Sequence, residues 1–537
     1  MDSRLRTSCR PLLVLPFVLA MTSYSFGASG TTTVLISQQT SVESEELTLL
    51  EAIRTTIANN AQLRVGAVYV EIAKQRIGVQ EGAFDTLVTA SGGATGAENP
   101  TPISTSEEIG IDNEAQSISG GLQRRLKSGA VLNFNIESQS SGDEAMGVRA
   151  NEFGSTNAAL TISYPLWRGR GEYLTTLNVG LAELEFEATN YDLMHRTDLS
   201  VLSTIRNYWN YRGASEALIL LREAERRSES LLQQIVKLVD ADELTRAEIG
   251  VMEAQVSRRT GARLGGESRL VQAQTSLATD LGVRLILSPE SHKPVTELPA
   301  PYLEQSDLTS LSGLQIQLYI QQNRKDFRAL DGRMEIADRS LDLAADATKP
   351  SLDLVVASQY QTFEQDNQFL GNLGAPTYGP NWSVRLNYNW SLNQVSAKAS
   401  QRIAVLGREQ RKIERAELAR DAEVSFNAAK FSLLQAYRGY DEANERLSLS
   451  IRNVKNERTK FLLDESTLLD VLNVEDQLLQ AQVDIISQRV SYANALVNAM
   501  FLTGYLSRMG ADVMREPNLK RADLFINELN KSVTAAP

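Results

Sequence analysis

The chain is poor in the side chains that usually do chemistry. Its 537 residues include one cysteine and two histidines. Cys9 lies ahead of a short apolar run, PLLVLPFVLAM (11–21), which follows Arg4, Arg6 and Arg10 and precedes the small residues SFGASG (25–30). That order predicts an export signal over residues 1–28, cleaved near Ala28. Cys9 is on the wrong side of the apolar run to be a lipid-anchored cysteine at the cleavage site. The chain left after cleavage would hold no cysteine, which excludes disulfides and thiol catalysis. His195 sits in a helical pattern and His292 in the loop SPESHKP, neither with a metal-spaced companion, so both read as structural or solvated. No phosphate-binding loop, nucleophile elbow or H-E-x-x-H motif occurs. The expectation is a protein that is not an enzyme and carries no metal and no cofactor.

Long hydrophobic runs are missing as well. No later window offers 18 consecutive apolar residues, so no transmembrane helix is expected, and residues 11–21 are too short to span a bilayer. A β-type membrane protein stays open. Basic residues are outnumbered: the net charge is −12. Loss of residues 1–28 removes Arg4, Arg6, Arg10 and Asp2 and leaves about −14, which argues against a nucleic-acid partner. With 42% hydrophobic and 22% charged residues the chain is nevertheless a folded one.

What the chain has is repetition. IANNAQLRVGAVYVEIA (57–73) and IQQNRKDFRALDGRMEIA (320–337) share Asn60/Asn323, Arg64/Arg328 and a Glu-Ile-Ala triplet about 264 positions apart. Each is followed by an alternating segment ending in Ala-Ser, FDTLVTAS (84–91) and SLDLVVAS (351–358), then a further alternating segment and two very long helices. The predicted organisation is a signal at 1–28, a first repeat at 45–283, a linker at 284–309, a second repeat at 310–506 and a polar tail at 507–537.

The strands show period-2 alternation. In WSVRLNYNW (382–390), Trp382, Val384, Leu386, Tyr388 and Trp390 share one face, with Ser383, Arg385, Asn387 and Asn389 on the other. Such a segment suits a barrel strand between lipid and water, or a half-buried strand of a soluble sheet. NAALTISYPLW (157–167) behaves alike, and GLQRRL–KSG–AVLNFNIES (121–138) reads as a further hairpin. Trp382 and Trp390 are eight residues apart, roughly 26 Å along a strand, near the height of an outer-membrane apolar band. With Tyr388, Tyr164 and Trp167 they are the candidate membrane-interface aromatics.

Proline is absent from Glu172 to Val239, a helix of roughly 100 Å. A returning arm is expected from about Thr245 to Leu281, and a second pair over about Val395–Leu462 and Thr467–Leu506. Arms this long cannot wrap one compact core. In the last, Leu468, Leu472, Leu479, Val483, Ile486, Val490, Ala493 and Val497 make a heptad seam that skips one position around Glu475 and Asp476. Val471, Val474, Leu478, Ala481 and Ile485 make a second seam. Two seams on one helix mean neighbours on both flanks, as in a curved wall of helices. At the tips, Thr245–Glu248 and Thr467–Asp470 each set a threonine three residues before an acid, the pattern of a capping box. Tyr208, Trp209 and Tyr211 cluster on the first long helix and read as helix–helix packing.

These features resemble the TolC-like outer-membrane factor family. YPLWRGRGE (164–172) is similar to the family's Q-P-L-[FW]-x-G-G junction, with Tyr164 in place of glutamine. LTRAEIGVMEAQV (244–256) and STLLDVLNVEDQLLQAQ (466–482) resemble its two returning-helix signatures, and FLTGYL (501–506) its closing segment. The resemblance covers roughly residues 45–506. It implies a mixed, mainly α fold: a homotrimer whose copies jointly build an antiparallel β-barrel in outer-membrane lipid and a periplasmic tunnel of long helices. The implied function is a passive exit duct for efflux or type I secretion, fed by an inner-membrane transporter through a periplasmic adaptor. In the family two aspartates one turn apart near the second tip narrow the entrance. The matching positions are Asp470 and Asn473, so one acid is replaced. Thr245, Glu248, Asp464 and Thr467 lie at tips expected to meet the adaptor. Ser466 and Phe461 stand where some relatives carry a latching arginine and tyrosine, so no latch is expected. The other reading is a periplasmic coiled-coil scaffold or adaptor without its own pore.

Overall fold

The computed structural model describes residues 46–102, 108–145, 148–243, 245–283, 293–301, 313–364, 377–463 and 465–506. The chain divides into residues 1–40 and residues 41–537, and every described residue belongs to the second unit. The expected signal, the tail, His292, Asp464 and most of the 284–309 linker lie outside the described residues.

The element order repeats. A short helix and a longer one, α1 (Leu49–Asn59) and α2 (Ala61–Glu81), lead into strands β2 (Thr86–Pro102), β3 (Glu108–Arg125), β4 (Val131–Ala145) and β5 (Val148–Pro165). A long hairpin follows, α3 (Glu172–Asp240) and α4 (Ala247–Leu281). Then come α5 (Gly313–Asn323), α6 (Lys325–Ala347), β7 (Ser351–Glu364), β8 (Thr377–Asn389), α7 (Val395–Leu462) and α8 (Leu468–Leu502). Two further strands, β1 (Glu46–Leu47) and β6 (Lys293–Pro294), form a small parallel pair.

Side-chain patterning sets the helical layer. Halfway down, α3 is flanked by α4 and α8, and α8 by α7; nearer the sheet, α3 is flanked by α2 and α6, and α6 by α7. Each level is therefore four helices wide. Leu468, Leu472, Leu479, Ile486, Ala493 and Val497 of α8 are buried, as are Val471 and Ala481 of its second seam, so α8 packs on both flanks. At Gly213 of α3 a Cβ would lie 2.5 Å from Val490 Cγ2, so glycine lets α3 and α8 approach closely there.

One core lies where α1, α3, α4 and α8 meet, and a second where α5, α6, α7 and α8 meet. Tyr208, Trp209 and Tyr211 are at most 3% exposed. The Tyr208 hydroxyl donates to Leu47 O at 2.9 Å and accepts from Thr296 N at 3.0 Å, and burial pushes its ionisation up. His195 lies against Phe501, ring centroids 5.8 Å apart. Both structural readings from the sequence hold.

The sheet has the order β2-β3-β4-β5-β7-β8, antiparallel throughout. The 121–138 hairpin is longer than its sequence pattern indicated, and both its strands are full members of this sheet. Strand β8 ends at Asn389, so Trp390 falls one residue past it.

Candidate functional site at the hairpin tips

The second tip is closed by local hydrogen bonds. Thr467 takes up an extended conformation and caps α8: its hydroxyl accepts from Asp470 N at 3.2 Å and donates to Asp470 Oδ2 at 2.6 Å. Thr467 N donates to the same carboxylate at 3.3 Å. These bonds, the hydroxyl's first, hold the Asp470 carboxyl below the usual aspartate range. Asn473, one turn on, is exposed like Asp470.

The first tip is built differently. The capping box expected from Thr245 and Glu248 does not form: Arg246 is the N-cap, in α conformation and without a side-chain bond. Glu248 N instead donates to the Thr245 carbonyl at 3.1 Å. Helix α4 begins at Ala247, one residue later than a cap at Thr245 requires, so the threonine hydroxyl is not presented to the free N–H groups. What the tips share is how the outgoing arms stop. Glu243 N donates to Leu238 O, and Glu465 N to Lys460 O, both at 2.9 Å. Each is the six-to-one closure of a helix C-terminus. At the first tip the left-handed position is Asp242, with φ of 62°.

Two contacts join the hairpins just above the tips. Leu468 and Leu472 of α8 pack on Ile235 and Val239 of α3 and Met252 of α4, with Phe461 of α7 alongside. Above this plug lies the position the heptad seam skips. Glu475 pairs with Arg458 of α7, while Asp476 accepts from Gln255 of α4 at 2.8 Å and pairs with Arg259 of the same helix. Arg258 approaches Asp476 at 3.6 Å. The Arg259 side chain is 10% exposed. An acid pair thus stands at the one skipped seam position and ties α8 to α7 and to α4. The sequence signal was the gap itself. Ser466 does not latch the hairpins; its hydroxyl donates to Glu457 at 2.6 Å.

Of the candidate interface aromatics at the sheet, two are in contact. Trp167 and Tyr388 meet edge to face, centroids 6.1 Å apart, where β5 and β8 join the helices. Trp382 stands 77% exposed farther along β8. Tyr164 shares its face with Leu354 and Leu386. Among the described residues no group of three or more His, Cys, Asp or Glu side chains could hold a metal, and no helix is long and apolar enough to cross a membrane.

No protein-family model and no curated protein sequence matches the chain. Solved structures do. The Campylobacter jejuni CmeC outer membrane channel is similar over 90% of this chain and 89% of its own, at 15% identity and TM-score 0.60. The open state of the Neisseria gonorrhoeae MtrE outer membrane channel is similar over 87% and 94%, at 17% identity and TM-score 0.58. CusC, whose crystal structures concern folding and transmembrane channel formation, is similar over 87% and 95%, at 14% identity and TM-score 0.63. What the chain shares with them is the fold.

Proposed function

We propose that this chain, which has the fold of outer-membrane efflux channels, is itself an outer-membrane channel: a passive exit duct reaching from the membrane into the periplasm. The observation that carries the reading is the joining of two parts. A sheet with one apolar and one polar face is fused to two long helical hairpins whose flanks call for neighbours beyond the chain. Neither part is stable alone in water: the apolar face needs lipid, and the helical layer needs lateral partners. Three copies would close the sheet into a barrel and the helices into a tunnel. An inner-membrane transporter would deliver substrate through a periplasmic adaptor gripping the tips, in efflux or type I secretion. Chemistry is left to the transporter, and the chain acts as a conduit rather than an enzyme.

In this reading Asp470 and Asn473 face the narrowing entrance, where one carboxylate per copy attracts cations less strongly than two would. The test is single-channel conductance of detergent-extracted protein in planar bilayers, wild type beside Asp470→Ala. Discrete openings are expected, with cation sensitivity altered by the substitution. Protein extracted intact from outer membranes that conducts under no condition, adaptor included, would favour a sealed periplasmic scaffold. Conductance indifferent to Asp470→Ala would leave the duct and remove the gate.

A further inference from the structure

The β3–β4 hairpin has no role in the proposed duct so far. We infer that it is a segment of the pore wall, and that a ring of three copies, pairing β8 of one with β2 of the next, closes an eighteen-stranded barrel. The inference rests on the channel reading and adds to it the strand number and the bore.

The first observation is the position of the hairpin. Its turn, Leu126–Ala130, lies at the helix end of the sheet, because Arg124 pairs with Thr86 and Val131 with Ser163. Leu126 N donates to Ala130 O at 2.8 Å. Gly129, with φ of 94°, is packed so closely that a Cβ would lie 3.1 Å from Pro165 Cγ and from Thr175 Oγ1. The hairpin is thus wedged at the β5–α3 junction, the end opposite any extracellular loop.

The second is the facing of its side chains. Val88, Leu122, Phe134 and Leu160 form one cross-strand row, and Leu132, Ile162, Val356 and Val384 another. Leu122, Ile118, Phe134 and Ile136 of the hairpin are 38–46% exposed. On the opposite face Asn133 pairs with Gln123 and Thr161, and Glu137 with Ser119 and Asn157. The apolar band crosses the hairpin at Leu122, Phe134 and Leu160, bounded by Arg124 opposite Leu132 at the helix end and by Ser138 beside Thr156 at the other, and its large side chains Leu122, Phe134 and Ile136 are exposed. A hairpin held in water would leave that band exposed.

The third is width. The helical layer is four helices across at each level, about 32–40 Å at usual axial spacings. Six strands 4.7–4.9 Å apart, tilted about 35–45°, span about 34–42 Å of circumference. Four strands would span only about 23–28 Å at the same tilt. With the hairpin, sheet and helices subtend the same arc, so one ring closes both walls. Strands β2 and β8 are the two ends of the sheet order. Six strands being an even number, β8 of one copy meets β2 of the next in antiparallel sense, and the alternation continues around the ring. Eighteen strands give a barrel roughly 36 Å across at the backbone, against roughly 24 Å for twelve.

The test uses the full chain assembled in membranes, in which Cys9 is the only native cysteine. Single cysteines are placed as Phe134→Cys and Asn135→Cys in β4, and Leu386→Cys and Asn387→Cys in β8. The expected result is that Phe134→Cys and Leu386→Cys react with a membrane-soluble thiol reagent and are shielded from a charged one, and that Asn135→Cys and Asn387→Cys do the reverse. If the β8 pair alternates but both β4 positions react with the charged reagent, the hairpin lies outside the wall and the channel reading survives. If the β8 pair fails to alternate, the channel reading falls and this inference with it. Imaging of the unmodified ring gives an independent count: eighteen strands support the wall assignment, and twelve overturn it.

Discussion

Asp476 on α8 accepts a 2.8 Å hydrogen bond from Gln255 on α4, two helices with α3 between them. The bond and the Arg259 pair beside it form a polar clasp above an apolar plug. Cutting it leaves a guanidinium 10% exposed without its carboxylate. Breaking a fully buried pair costs about 3–5 kcal/mol, and an exposed pair under about 1 kcal/mol. Asp476 is 34% exposed, so Asp476→Ala should cost about 2 kcal/mol. Thermal unfolding measures that cost, and the resting conductance in bilayers should rise. Equal stability and unchanged conductance would reduce the clasp to a bystander.

The Arg458–Glu475 pair on the other flank gives the contrast. Arg458 is 57% exposed, so Arg458→Ala should cost well under about 1 kcal/mol. A double-mutant cycle of Arg259 with Asp476 should show coupling, and one of Arg458 with Glu475 almost none.

Close packing of α3 on α8 sets a third expectation. Gly213→Ala places a methyl 2.5 Å from Val490 Cγ2, and overpacking of this kind costs about 1–3 kcal/mol. Val490→Ala in the same chain opens the space, so the double variant should recover much of the loss in melting temperature. Additive losses would show that the helices do not meet there.

The capped tip should respond to acid in one direction. The Asp470 carboxyl is held below its ordinary range by Thr467. The carboxylate's share of the cap is therefore fully present above the ordinary aspartate range and is lost as pH falls through the lowered value. Thr467→Ala should destabilise the tip, and by more at neutral pH than in strong acid, where only the bond from Asp470 N to the threonine hydroxyl is left to lose. Amide exchange in the first turn of α8, followed against pH, checks this; protection that falls equally in both chains would disprove it.

Tryptophan reports on the sheet. The chain has four, at 167, 209, 382 and 390. Trp209 is 2% exposed and Trp382 is 77% exposed. Brominated lipids should quench Trp382 strongly in a Trp209→Phe background, and should leave Trp209 untouched in a chain lacking the other three.

Elements with a strong period were legible in the sequence. Alternation from Trp382 to Tyr388 matches β8, and in the last helix the first seam is mostly buried while the second is buried at Val471 and Ala481 and half-buried at Val474, Leu478 and Ile485. Facing within a strand is a local property, so residues alone state it. Membership of β3 and β4 in a six-stranded sheet depends on register with partners far along the chain, and no short window contains that. The tips divide along the same line. Thr467 caps as its motif implied, whereas behind Thr245 the helix starts one residue later and Arg246 takes the cap position. The clasp was hidden because an acid inside an apolar seam looks like a defect until the arginine across from it is placed.

The dissimilar tips have a consequence for symmetry. One arm begins with a capped turn and its counterpart with an uncapped one, although both hold the same place in the repeated element order. A ring of such chains has twice as many tips as copies, and neighbouring tips alternate in kind. In the proposed ring a docking partner would meet two sorts of tip in strict alternation. It must either address each with a different surface or occupy every second one.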